Sequence, residues 1–134
     1  MTPEFQDKFL SQAHYGILTT LKKDGSPISE PVWFDWDGKA VRIFTGVKSA
    51  KIKRIRRDAR VTFLVANHPD EEDACVAFDG LAEIHPGDAE LLERISAKYW
   101  DMSDPERRAT VDSWISDLSE LCMIELAPTQ IRSQ

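Results

Sequence analysis

The chain has 134 residues, about the size of one domain, and 42% of them are hydrophobic, enough for a single core. Its net charge of −6 excludes nonspecific nucleic-acid binding by the surface as a whole, and no stretch approaches the ~18 apolar residues of a membrane span. Two cysteines, Cys75 and Cys122, lie far apart in apolar runs without zinc spacing, and MTPEFQDKFL lacks the basic start and apolar core of a signal peptide. The expectation is one cytoplasmic domain over residues 1–134, with reduced, buried thiols, no membrane contact and no structural metal.

In chain order, Thr2-Pro3-Glu4 reads as a helix start, with Phe5, Phe9 and Leu10 as the apolar stripe. His14 to Leu21 reads as a strand, followed by an Asp24-Gly25 turn. Ile28 to Trp36 is the next strand, interrupted by Pro31, which demands an edge or a bulge. Asp37-Gly38 is a second tight turn and Val41 to Phe44 a third strand, so the first half reads as a β-meander. Ser49 to Arg57 switches to helical period, with Ile52 and Ile55 one turn apart. Arg60 to Ala66 is a strand, His68 to Asp73 an exposed acidic loop, and Ala74 to His85 a long strand with Gly80 at a bulge. Two helices follow, Asp88 to Trp100 with Leu91, Leu92 and Ile95 inward, and one capped near Ser103-Asp104-Pro105-Glu106 that runs to about Ser119. Leu121 to Leu126 closes the chain as a strand, and the last four residues are expected to fray. Six strands with helices between them indicate an α+β fold built on a six-stranded antiparallel barrel.

The charge is unevenly spread. Lys48 to Arg60 holds seven basic residues and one acid, while the other 121 residues hold 10 basic and 22 acidic side chains. One positive spot on an acidic molecule suits a small anion better than a polyanion. Lys48 and Lys51 flank the start of a helix, where a cation opposes the macrodipole. With Ser49 and the free N–H groups of the first turn, they make sense if a phosphate sits there. A solvated basic face is the competing reading, and Arg56, Arg57 and Arg60 are assigned to it.

A second constellation is Pro31-Val32-Trp33. Pro31 removes a ladder donor and leaves neighbouring backbone groups free for the edge of a flat heterocycle, on which Trp33 could pack. The competing reading is an edge strand with an ordinary core tryptophan. Trp100 and Trp114 are read as core or dimer-interface residues. His14, His68 and His85 are scattered and suggest no ligand set, and Asp70 to Asp73 lack calcium-loop spacing. No nucleophile elbow or glycine-rich phosphate loop is present.

Taken together, HYGILTTLKKDGSPISEPVWFDWDG, VRIFTGVKSAKIKRIRRDARVTFLV, VAFDGLAEI and MIELAPTQIRSQ resemble the pyridoxamine 5'-phosphate oxidase-like family of FMN-binding split barrels. The resemblance rests on the order of a strand, DG, P-V-W, DG, a strand and T-x-x-K-S-x-K, and covers nearly the whole chain. It implies a homodimer of split β-barrels with two cofactor sites at the interface. Lys51 matches the family's phosphate lysine, with Thr45, Lys48 and Ser49 in the same stretch, and Pro31, Val32 and Trp33 match the strand along the isoalloxazine edge. Arg54 stands where many relatives have asparagine, a possible further phosphate contact, Ala59 stands where many have proline, and Gln134 replaces a frequent terminal tryptophan. The implied activity is hydride transfer between FMN and a small organic substrate, with no dedicated catalytic side chain. The alternatives are a reductase using the deazaflavin coenzyme F420, whose acidic tail Arg54 and Arg57 could meet, and a flavin-binding or stress-related module without turnover.

Overall fold

A computed structural model describes residues 1–134. In chain order the elements are α1 (Pro3–Ser11), β1 (Gly16–Leu21), β2 (Pro27–Val32), β3 (Asp35–Trp36), β4 (Val41–Gly46), α2 (Ala50–Arg57), β5 (Arg60–Ala66), β6 (Cys75–Pro86), α3 (Ala89–Tyr99), α4 (Pro105–Ser116), a 3-10 turn (Leu118–Glu120) and β7 (Leu121–Ser133). The strands form one antiparallel sheet in the order β2-β1-β5-β6-β7-β4-β3.

That order forces the sheet to curl. β2 and β3 stand at opposite edges, yet only Trp33 and Phe34 join them. A flat seven-stranded sheet would hold its edge strands roughly 29 Å apart, at about 4.8 Å per neighbour. The link from Val32 to Asp35 reaches about 10 Å when extended. The sheet therefore closes on itself as a half-barrel, with Phe34, Phe63 and Phe78 fully buried inside.

Several expectations hold for local reasons. Gly25 and Gly38 take φ of +86° and +91°, and Asp24 and Asp37 accept backbone N–H bonds two residues on, so both Asp-Gly pairs make their turns. The β6–β7 register shifts between Asp79 and Gly80, the expected bulge. Thr2 caps α1, Asp88 caps α3 and Asp104 caps α4. Leu91, Leu92 and Ile95 are buried as expected.

Five expectations are corrected. There are seven strands, not six, because the segment Ile28 to Trp36 breaks at Trp33-Phe34. Pro31 itself stays in register opposite Ile17, tolerated because β2 is an edge. The first half is accordingly two hairpins on opposite edges, not a meander. The C-terminus does not fray: β7 continues to Ser133, and Gln134 exchanges backbone hydrogen bonds with Cys75. Phe5 of the proposed apolar stripe is 38% exposed, and Cys75 is only half-buried, whereas Cys122 is buried.

Candidate functional site

The basic helix takes its position from two residues. Ile52 and Ile55 are buried in the barrel core, which turns Lys51 and Arg54 toward β1 and β2. Both cations reach Glu30 on edge strand β2. Lys51 Nζ lies 3.3 Å from its carboxylate, and the Arg54 guanidinium pairs with the other oxygen. Arg54 Nε also donates to the buried hydroxyl of Thr20 at 2.7 Å. The Lys51 and Arg54 side chains are only 15% and 12% exposed, so this is a sheltered corner in which two cations share one carboxylate.

The start of α2 completes the corner. Ser49 stands at the N-cap with extended backbone, but its hydroxyl makes no capping bond, and the first turn has no acid. The Ser49 hydroxyl instead accepts from Thr45 at 3.2 Å. The N–H groups of the first turn thus lack a side-chain partner, in a place where the macrodipole is positive. Thr45, Ser49, Lys51 and Arg54 are brought together here, and Lys48 is exposed beside them. Arg56, Arg57 and Arg60 are exposed, and Arg60 turns back onto Asp58.

Along β2, Val32 lies two residues from Glu30 on the same face, about 7 Å away. Val32 and Trp33 line an apolar groove of about 320 Å³ with Phe44, Trp100 and Trp114. Trp33 stacks parallel on Tyr99 at 4.9 Å and meets Trp100 edge-on at 5.0 Å, so one of its faces is already covered. Trp100 and Trp114 stack at 5.6 Å and are half-buried in the groove wall. Tyr99 anchors this wall: its hydroxyl donates to the His14 carbonyl at 2.7 Å and accepts from the Phe34 N–H at 3.2 Å. Burial raises the Tyr99 pKa, which keeps it a neutral donor. Pro31 is exposed on the open edge.

Sequence reasoning missed Glu30, Thr20 and Tyr99. Glu30 carried a usable signal, because it alternates in phase with Ile28 and Val32 and so had to face inward toward a basic helix. Two of the three histidines are less scattered than their sequence positions suggest. His14, His68 and Glu71 come together, with ligand atoms all within 4.8 Å, and Glu71 is not merely solvated. Their separation along the chain hid this.

The corner presents two sheltered cations beside a helix start without a side-chain cap, and the neighbouring groove is lined by apolar and aromatic side chains. No helix is long and apolar enough to cross a membrane. No curated protein matches the chain. Among solved structures it is similar to a conserved hypothetical protein from Mycobacterium tuberculosis, at 25% identity over 99% of this chain and 84% of that one, with a TM-score of 0.74. An F420 reductase matches at 24% identity over 94% of both chains, with a TM-score of 0.70. General Stress Protein 26 from Bacillus anthracis matches at 20% identity over 98% of this chain and 92% of that one, with a TM-score of 0.71. The family model for pyridoxamine 5'-phosphate oxidase matches residues 1–134, its whole length, and the chain belongs to that split-barrel family.

Proposed function

We propose that the chain is a flavin-binding oxidoreductase that holds FMN by its phosphate at the start of α2. The observation that carries this reading is the convergence of Lys51 and Arg54 on one carboxylate beside an uncapped helix start. A phosphate has the charge and acceptor geometry to replace Glu30 there, and Arg54 can meet it with two parallel donors. Thr45, Lys48 and Ser49 supply the remaining donors. Pro31, Val32 and Trp33 would flank the ring at the β2 edge, with Trp33 acting through the stack it forms on Tyr99.

FMN, when bound, supplies hydride transfer at its ring. The chain's own work is to bind, orient and exclude water. The half-buried cations fix the phosphate, the open edge of β2 offers backbone groups to the ring's polar edge, and the tryptophan wall keeps the neighbouring space apolar for a small organic substrate. The open β2 edge and the aromatic groove are also the surfaces that a second copy would cover, giving a homodimer with the cofactor at the interface.

A second reading, use of F420 in place of FMN, draws on one observation. Arg56 and Arg57 continue the cationic surface beyond Arg54 and are exposed, where a long acidic tail could lie. The similarity to an F420 reductase is in keeping with it. Titrating the purified chain with each cofactor separates the two. FMN binding gives a perturbed two-band flavin spectrum, whereas preference for F420 leaves FMN unbound. Failure to bind either at tens of micromolar refutes the proposal. Reduction by a nicotinamide donor then distinguishes an enzyme from a carrier or stress-related module.

A further inference from the structure

We propose that His14, His68 and Glu71 form a binding site for a divalent transition-metal ion of the zinc class, separate from the corner at α2. His14 sits in the α1–β1 connection, and His68 and Glu71 sit in the loop between β5 and β6. His14 Nε2 lies 2.9 and 3.1 Å from the two Glu71 oxygens, and His68 Nδ1 lies 3.1 Å from one of them. All three ligand atoms fall within 4.8 Å of one another. Zinc bonds of about 2.0–2.2 Å in tetrahedral geometry place ligand atoms roughly 3.3 Å apart. The two His–Glu spacings are within a few tenths of an ångström of that value. The remaining adjustment falls on His68, whose side chain is 54% exposed.

Hydrogen bonding alone explains the cluster poorly. Glu71 Oε1 has the His68 backbone N–H at 2.7 Å as well as both imidazole nitrogens, three partners for one carboxylate oxygen with two lone pairs. His14 is 1% exposed, and its Nδ1 is a buried polar atom without a hydrogen-bond partner. Its Nε2 is the nitrogen that faces Glu71, and Nε2 is therefore the atom it offers to an ion. A cation among the three takes both imidazole lone pairs and Oε1, the oxygen that both nitrogens face and that the His68 backbone N–H holds in place. Two nitrogens and one oxygen suit zinc and its neighbours, not calcium or magnesium, which take oxygen donors. Asp70, Glu72 and Asp73 flank Glu71 in the sequence and make the same exposed loop acidic. The ion would clamp the connection whose His14 carbonyl receives the Tyr99 hydroxyl, and so brace the aromatic wall.

The test is calorimetric titration of the chelator-treated full-length chain with Zn²⁺, comparing native protein with His68→Ala, Glu71→Gln and, as a control at the second His–carboxylate group (Glu83, His85, Glu125), His85→Ala. The native chain and His85→Ala are expected to bind one ion each, with a rise in melting temperature. Loss of a partner outside the ligand set typically costs about 10–100-fold in affinity, so loss of a ligand in His68→Ala or Glu71→Gln should cost at least about 100-fold. No uptake by the native chain at micromolar Zn²⁺, or uptake lost in His85→Ala but kept in His68→Ala, overturns the proposal. Should the variants unfold, the native chain's histidine ring resonances decide. Zn²⁺-dependent shifts of His14 and His68 support the site, and a shift of His85 alone refutes it.

Discussion

Four helices begin in this molecule, and one begins differently. Thr2 accepts the Phe5 N–H at 3.1 Å, Asp88 accepts the Leu91 N–H at 3.1 Å, and Asp104 accepts the Glu106 N–H at 3.0 Å. Each of those helices also has a glutamate in its first turn: Glu4, Glu90 and Glu106. α2 begins with Ser49, which has the right backbone shape, but its hydroxyl is engaged by Thr45 and a lysine occupies the first turn. Where stability alone decides, this chain writes a cap and an acid. At α2 the stability comes from burying Ile52 and Ile55, and the helix start is left electropositive, as the proposed phosphate site requires.

The contrast can be broken most directly at Lys51. Lys51→Ala should weaken FMN binding by about 1.5–3 kcal/mol, measured by flavin fluorescence, because a charge-assisted contact is lost. Next come the caps. Asp88→Ala should lower stability by about 1 kcal/mol in denaturant unfolding, whereas Ser49→Ala should change it by less than about 0.5 kcal/mol. Equal losses at the two positions would erase the distinction drawn here.

Lys98 offers a comparison between two sheltered cations. Lys51 has a carboxylate partner, while Lys98 donates to the Leu10 and Phe34 carbonyls at 2.8 and 3.0 Å beneath the Phe34 ring. Burial pulls the Lys98 pKa down to about 8 from 10.5. Between these values the unfolded chain binds more protons than the folded one, so this group makes stability rise as pH goes from about 8 toward 10. The gain is about 1 kcal/mol after allowing for partial solvent screening, and Lys98→Met should flatten that limb of the pH profile. The smallest expected effect is at Glu30. Glu30→Gln releases Lys51 and Arg54 and should tighten FMN binding by about 0.5–1 kcal/mol, read in the same titration.

Local signals carried much of this fold into the sequence: Asp-Gly turns, side-chain caps, the isoleucine pair of α2 and the bulge at Gly80 all act within a few residues. What stayed hidden acts over distance. β2 and β3 part at Trp33-Phe34 because the sheet closes there, and no local propensity marks that break. The end of β7 reads as polar, since Thr129, Gln130 and Arg132 carry no apolar alternation. It is held by its pairing with β6 and by the Arg132–Asp79 ion pair at 2.8 Å. At the site, the α2 cations were legible because they adjoin in sequence, while Glu30, Tyr99 and the His14–Glu71–His68 group are assembled by the fold.

The most direct test of the proposed phosphate corner compares FMN with riboflavin, which lacks only the phosphate, in the native chain and in Lys51→Ala. The native chain should prefer FMN strongly, and Lys51→Ala should lose most of that preference while its riboflavin affinity stays unchanged. An undiminished preference for FMN in Lys51→Ala would contradict the account and place the phosphate elsewhere.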